Sequence, residues 1–204
     1  WRSTDGGDTW ELRCTGWGYL GKQGWYDNTI WVSPVDNDHV IVGGIDLWQS
    51  FNGGSNMTKI SDWGEYHTGY SAHADHHIIV SHPDYDGETN LTVFFGNDGG
   101  IQKTDNILEI EQYSGWTNLA GTTLGITQFY GGAAAPNGSF IVGGTQDNSK
   151  PRYTPTAGTN WLNNSTGDGG FAAVNYNDYN YVFGEYVFLA MLRSTNKGVS
   201  YSNF

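Results

Sequence analysis

The chain has 204 residues, with 30 Gly, 9 Trp, 13 Tyr and 9 Phe, and only 9 Lys+Arg against 21 Asp+Glu for a net charge of −12. So much Gly and aromatic residue, with so few helix formers, excludes helical bundles and doubly wound α/β folds. The lack of any basic cluster excludes a nucleic-acid surface, and no apolar run approaches the ~20 residues that span a bilayer.

The first recognisable element is the phrase Ser3-Thr4-Asp5-Gly6-Gly7-Asp8-Thr9-Trp10. Its residue types predict a tight hairpin turn. Asp or Asn accepts backbone N–H groups two or more residues on, Gly supplies a positive φ, and the aromatic opens the next strand. The pattern returns at Ser50, Asn52 and Gly54, and most fully at Ser194, Asn196, Gly198, Ser200 and Tyr201. Partial copies start at Thr104 and Thr154. The intervals are those of a propeller repeat, roughly 40–50 residues with four strands each.

Between the turns, paired apolar strands are predicted in chain order: 29–32 with 40–44, 77–80 with 92–96, 128–131 with 140–144, and 171–174 with 181–184. The sequence therefore reads as one all-β segment, a β-propeller of four-stranded antiparallel blades. Residues 1–27 close one blade, and 28–63, 76–120, 127–165 and 169–204 form the next four repeats. Trp10, Trp116 and Trp161 are expected to pack between blades. The one cysteine, Cys14, permits no internal disulfide and is expected to be a buried, inert thiol.

The phrase Ser3–Trp10 resembles the Asp-box, or bacterial neuraminidase repeat, of sialidases, xyloglucan hydrolases, sortilin-type receptors and exported bacterial propellers. The likeness is greatest to the sortilin-like exported group. Stretches 73–77, 96–100, 128–130, 143–148 and 167–170 occur in that order in such proteins. They supply the candidate ligand-binding residues Asp98, Gln128, Tyr130, Gln146, Asp147 and Asp168. The resemblance implies more blades than four, so the native protein is expected to be a longer chain than 22.4 kDa. It also implies that a sialidase would need three arginines at its channel. The four here, Arg2, Arg13, Arg152 and Arg193, make that activity hard to assemble.

Two constellations offer chemistry. His73, Asp75, His76 and His77 combine imidazole and carboxylate at the entry to a strand, a donor set suited to a divalent metal or to a structural polar network. In a regular strand, His73, Asp75 and His77 would share one side and His76 the other. The second is a recurring acid after each second strand, at Asp46, Asp98, Asp147 and Glu185, which suits either a structural turn or a glycosidase carboxylate pair. Trp17, Trp25, Tyr26, Trp63, Tyr66 and Tyr70 lie in long connections where rings are available for stacking. Sequons at Asn56, Asn90, Asn137, Asn163 and Asn164 fit a secreted or cell-surface protein.

No nucleophile elbow, phosphate loop or His-Glu-x-x-His motif is present. The leading expectation is therefore a non-catalytic module that binds a glycan or a protein partner. The alternatives are a glycoside hydrolase using channel carboxylates and a metal-stabilised structural propeller.

Overall fold

The computed structural model describes residues 1–16, 18–120, 124–158, 160–163 and 167–204; Trp17, Thr159 and Asn164 lie outside these. The chain is all-β. Its first sheet runs β1 (Thr29–Val32), β2 (Val40–Gly43), β3 (Leu47–Ser50) and β4 (Thr58–Lys59). The second runs β5 (His76–Ser81), β6 (Val93–Asn97), β7 (Gly100–Thr104) and β8 (Thr117–Asn118). The third is β9 (Phe129–Ala134), β10 (Ile141–Thr145), β11 (Pro151–Tyr153) and β12 (Leu162–Asn163). The fourth is β13 (Ala172–Val174), β14 (Val182–Tyr186), β15 (Ala190–Ser194) and β16 (Ser202–Asn203). In all four the strand order follows the sequence and every pairing is antiparallel, the meander of a β-propeller blade.

Contacts divide the chain into two compact units, Trp1–Ile126 and Thr127–Phe204. Each holds two sheets and its own core. In the first unit, period-two alternation turns Ile41, Val93 and Phe95 inward, where they meet Trp31, Leu47, Ile60 and Ile79. The insertion after the Thr104 turn adds Ile107 and Ile110 to that core. In the second unit, Phe140, Val142, Val174 and Val182 close against Ala135.

The hydroxyl–Asx turn is built the same way three times. The Ser3 hydroxyl donates to Asp5 and accepts the Gly7 N–H at 2.8 Å, while Asp5 accepts the Thr9 N–H at 2.9 Å. Ser50 and Asn52 take the N–H groups of Gly54 and Asn56 at 2.9 and 2.8 Å. Ser194 and Asn196 take those of Gly198 and Ser200 at 2.9 and 3.0 Å. These bonds favour the ionised acid and hold the Asp5 carboxyl at about 2. In each copy two successive residues have positive φ: Gly6 and Gly7, Gly53 and Gly54, Lys197 and Gly198. The Thr154 copy departs from the pattern, because Pro155–Ala157 forms a single 3-10 turn with no side-chain cap.

Trp10 and Trp161 depart from the expected packing between blades, whereas Trp116 meets it against the core that the first two sheets share. Trp10 is exposed and bonds back to the Gly7 carbonyl of its own turn at 3.0 Å. Trp116 packs on Phe95 in the first core, and Trp161 lies against Phe129 and Tyr153 of its own sheet. Cys14 is half-buried rather than buried. Glu185 sits inside β14 rather than after it.

Glycine sets how consecutive sheets join. In the second unit, Gly169 N–H donates to the Thr145 carbonyl at 2.7 Å and Ser149 N–H to the Gly167 carbonyl at 2.7 Å. A Cβ on Gly144 would overlap the Gly170 carbonyl oxygen, and one on Gly169 the Ser149 carbonyl oxygen. In the first unit, His76 N–H donates to the Gly44 carbonyl at 2.9 Å, and a Cβ on Gly44 would lie 2.8 Å from the Tyr19 oxygen.

Gly144→Ala is expected to lower the unfolding free energy by about 3 kcal/mol, because backbone on both sides resists displacement. Ser194→Ala, which removes a buried hydroxyl and leaves two N–H groups short of an acceptor, is expected to cost about 1–3 kcal/mol. Urea unfolding of both variants beside the parent checks the order of the two effects.

Candidate functional site

Five of the six predicted ligand residues meet in the second unit. The loop 146–150 between β10 and β11 reverses through positive φ at Asp147 (51°) and Ser149 (68°). That geometry turns Gln146 back along β9, where its N–H donates to the Gln128 carbonyl at 3.0 Å. Tyr130 Oη donates to Gln146 Oε1, and Gln146 Nε2 donates to Asp147 Oδ2 at 2.8 Å. Asp147 N–H donates to Asp168 Oδ1 at 2.9 Å. One hydrogen-bonded chain thus links β9, the loop after β10 and the segment before β13.

Beside this chain lies a cleft of about 320 Å³. Its walls are Tyr130, Phe171, Tyr186 and Val187, and its polar lining is Gln146, Asp168 and Glu185. The backbone of Gly169 and Gly170 forms its floor. Tyr130, Phe171 and Tyr186 all keep a substantial part of their rings exposed. Glu185 Oε2 accepts the Phe171 N–H at 3.2 Å, which fixes both residues.

Sequence reasoning missed Lys150. It is buried, its Nζ donates to the Asp168 carbonyl at 3.1 Å, and it stands 5.7 Å from the centre of the Tyr186 ring. Burial lowers its pKa, with Asp168 opposing. Burial likewise raises the Asp168 carboxyl; its bond from Asp147 N–H and the Lys150 charge pull the other way.

The sixth residue, Asp98, lies in the first unit. Its two oxygens take the Tyr26 hydroxyl at 2.7 Å and the His77 Nε2 at 2.8 Å, with Tyr26 edge-on to the imidazole. The neighbouring histidines do not share a strand side as the alternation suggested. The strand begins only at His76, after Asp75 takes φ 63°. Asp75 accepts from Gln23 Nε2 at 2.5 Å, and the His73 ring packs on Tyr66 over Gly99. Among the described residues, no three of His73, Asp75, His76 and His77 bring ligand atoms within 4.8 Å of one another.

His76 is fully buried, and its two ring nitrogens have no hydrogen-bond partner among the described residues. Burial lowers its pKa to about 3, with His73 and His77 adding repulsion. Of the loop aromatics, Trp25, Trp63 and Tyr70 are exposed and Tyr26 and Tyr66 are partly so. None of the four arginines lines the second-unit cleft: Arg2 pairs with Asp38, Arg13 with Glu11, and Arg152 and Arg193 lie over the rings of Phe140 and Phe204.

No protein-family model matches the chain, and no curated protein matches it. Among solved structures, a GH74 enzyme of Niastella koreensis shares 16% identity over 85% of this chain and 28% of its own, with a TM-score of 0.34. The GH74 xyloglucanase of Xanthomonas campestris shares 16% over 86% of this chain and 29% of its own, again at 0.34. YCF48 bound to D1 peptide shares 13% over 98% of this chain and 59% of its own, at 0.31. The chain spans less than a third of either GH74 chain. At these identities the likeness is one of fold.

A histidine that must stay neutral to remain buried stabilises the fold above its unfolded pKa. That stabilisation is lost as pH falls from about 6.5 toward 3. The melting temperature is expected to drop across this window, and the drop to be shallower in His76→Gln. Thermal melts of both proteins at stepped pH check it.

Proposed function

We propose that this chain is a β-propeller-type binding module for uncharged oligosaccharides, with its ligand seat in the second-unit cleft. The observation that carries the reading is the company of three part-exposed rings with Gln146, Asp168 and Glu185. Sugar C–H faces pack on aromatic rings, and sugar hydroxyls exchange hydrogen bonds with amides and carboxylates. The second unit has four acidic and four basic residues, so its field favours neither an anion nor a cation. The repeated hydroxyl–Asx turns support the Asp-box kinship that the sequence suggested. With the sequons, they support a secreted or cell-surface setting.

A non-catalytic role fits how the carboxylates are used. Glu185 fixes the Phe171 backbone, and Asp168 fixes the Asp147 turn. One observation favours a second reading as hydrolase: Asp168 is held toward its protonated form in the same cleft as Glu185, the pairing a general acid and a carboxylate partner require. A metal at His73–His77 remains a third reading, and elemental analysis of the purified protein addresses it.

Titration with a panel of neutral oligosaccharides is expected to give saturable binding that Phe171→Ala weakens about tenfold, the loss of one stacking contact. Intact oligosaccharide recovered afterwards supports the module. Shortened products that vanish in Asp168→Asn would move the assignment to the hydrolase.

A further inference from the structure

The β14–β15 hairpin ends in Val187-Phe188-Leu189, where Phe188 has φ 60° and Leu189 φ 59°. A turn with two successive left-handed residues is ordinarily given to Asn and Gly, because a branched or bulky side chain is strained there. Other loops of this chain follow that rule. Asp147 and Ser149 take the positive φ values between β10 and β11, and Gly100 does so beside the β6–β7 turn. Only in the fourth sheet are these positions filled by large apolar side chains. Both point outward: Phe188 is fully exposed and Leu189 largely so. The hairpin thus carries two costs, backbone strain and exposed apolar area, with no compensating contact among the described residues.

The first unit contains the matching concavity. A groove of about 760 Å³ is walled by Trp1, Trp10, Ile30, Val32 and Met57, with Ile30 and Val32 exposed on the outer face of β1. It lies within the ~300–1,000 Å³ range of pockets that enclose a drug-sized group. Charge narrows the choice of occupant. The first unit has 17 acidic and 5 basic residues, while the second has four of each. Two grooves facing each other would bring two strongly negative units together, whereas the hairpin tip arrives on a neutral unit. Two convex tips would leave each other's apolar area open to water.

We propose that the Val187–Leu189 tip of one copy of this chain seats Phe188 and Leu189 in the first-unit groove of a second copy. The contact joins two different surfaces, so each copy keeps one free tip and one free groove, and association continues into rings or open chains. The tip shares Val187 with the cleft wall, but the two seated residues, Phe188 and Leu189, lie outside the cleft lining, so self-association and oligosaccharide binding are read out separately.

Sedimentation velocity and light scattering over a rising concentration series test it. The parent is expected to show an apparent mass that climbs at least twofold. Phe188→Asn with Leu189→Gly is expected to stay at the single-chain mass while melting higher, because the turn strain is relieved. Val32→Lys on the groove wall is expected to stay at the single-chain mass as well. Mixing these two variants is expected to restore association and stop it at two copies, since one partner offers only a groove and the other only a tip. A parent that keeps the single-chain mass at every concentration overturns the proposal. So does association of Val32→Lys by itself, which would mean tip against tip, and so does a mixture that stays monomeric.

Discussion

The closest constraint in this protein is the passage of one backbone across another with no side chain between them. Thr145 ends β10 after Gly143 and Gly144, and the segment 167–170 enters the next sheet across that end. Hydrogen bonds from Gly169 to Thr145 and from Ser149 to Gly167 lock the crossing. Any Cβ at Gly144 or Gly169 would occupy space already held by carbonyl oxygen. The cleft depends on this crossing directly. Its floor is the Gly169–Gly170 backbone, and Asp168 reaches the Asp147 turn only because the two strands meet there. The first unit repeats the device more loosely, with Gly44 receiving the N–H of His76 where β5 begins.

What could be read from the sequence was whatever is local. Strand pairs 29–32 with 40–43 and 172–174 with 182–186 follow from period-two apolar patterns, and the structure places them within a residue or two. The turns at Ser3, Ser50 and Ser194 were legible because one hydroxyl and one Asx side chain satisfy nearby N–H groups of the same few residues. What failed needed tertiary information. The strand side expected to be shared by His73, Asp75 and His77 was not found, because the positive φ of Asp75 breaks the alternation just before the strand. Lys150 left no mark, since its burial depends on Tyr186 and Asp168 arriving from the neighbouring sheet. The turn expected at Glu185 lies instead at Val187–Leu189, where Phe188 and Leu189 take positive φ.

The uneven charge gives the two units different chemistry. The first unit carries the whole net charge of −12, much of it in surface loops such as 84–88. There Asp86 accepts three backbone N–H groups and the Thr89 hydroxyl, which holds its carboxyl well below the usual range. Acids engaged in turns in this way raise solubility without themselves contacting a partner. The neutral second unit keeps its few charges close to rings: Arg152 over Phe140, Arg193 over Phe204, Lys197 over Tyr179. Such placement shields aromatic area and leaves Tyr130 and Phe171 as rings open to a ligand.

Because each sheet is a meander, nearly every strand finds its partner within a few tens of residues along the chain. Contacts this local are quick to form, since little loop entropy is spent before they are made. A nascent chain can complete one sheet while the next is still being synthesised. The same economy bears on ancestry: duplication of about fifty residues adds a finished sheet without re-pairing any existing one. The divergence of the four turns, from the full hydrogen-bond set at Ser194 to the bare 3-10 turn at Pro155–Ala157, is what drift leaves when each sheet stands on its own pairing.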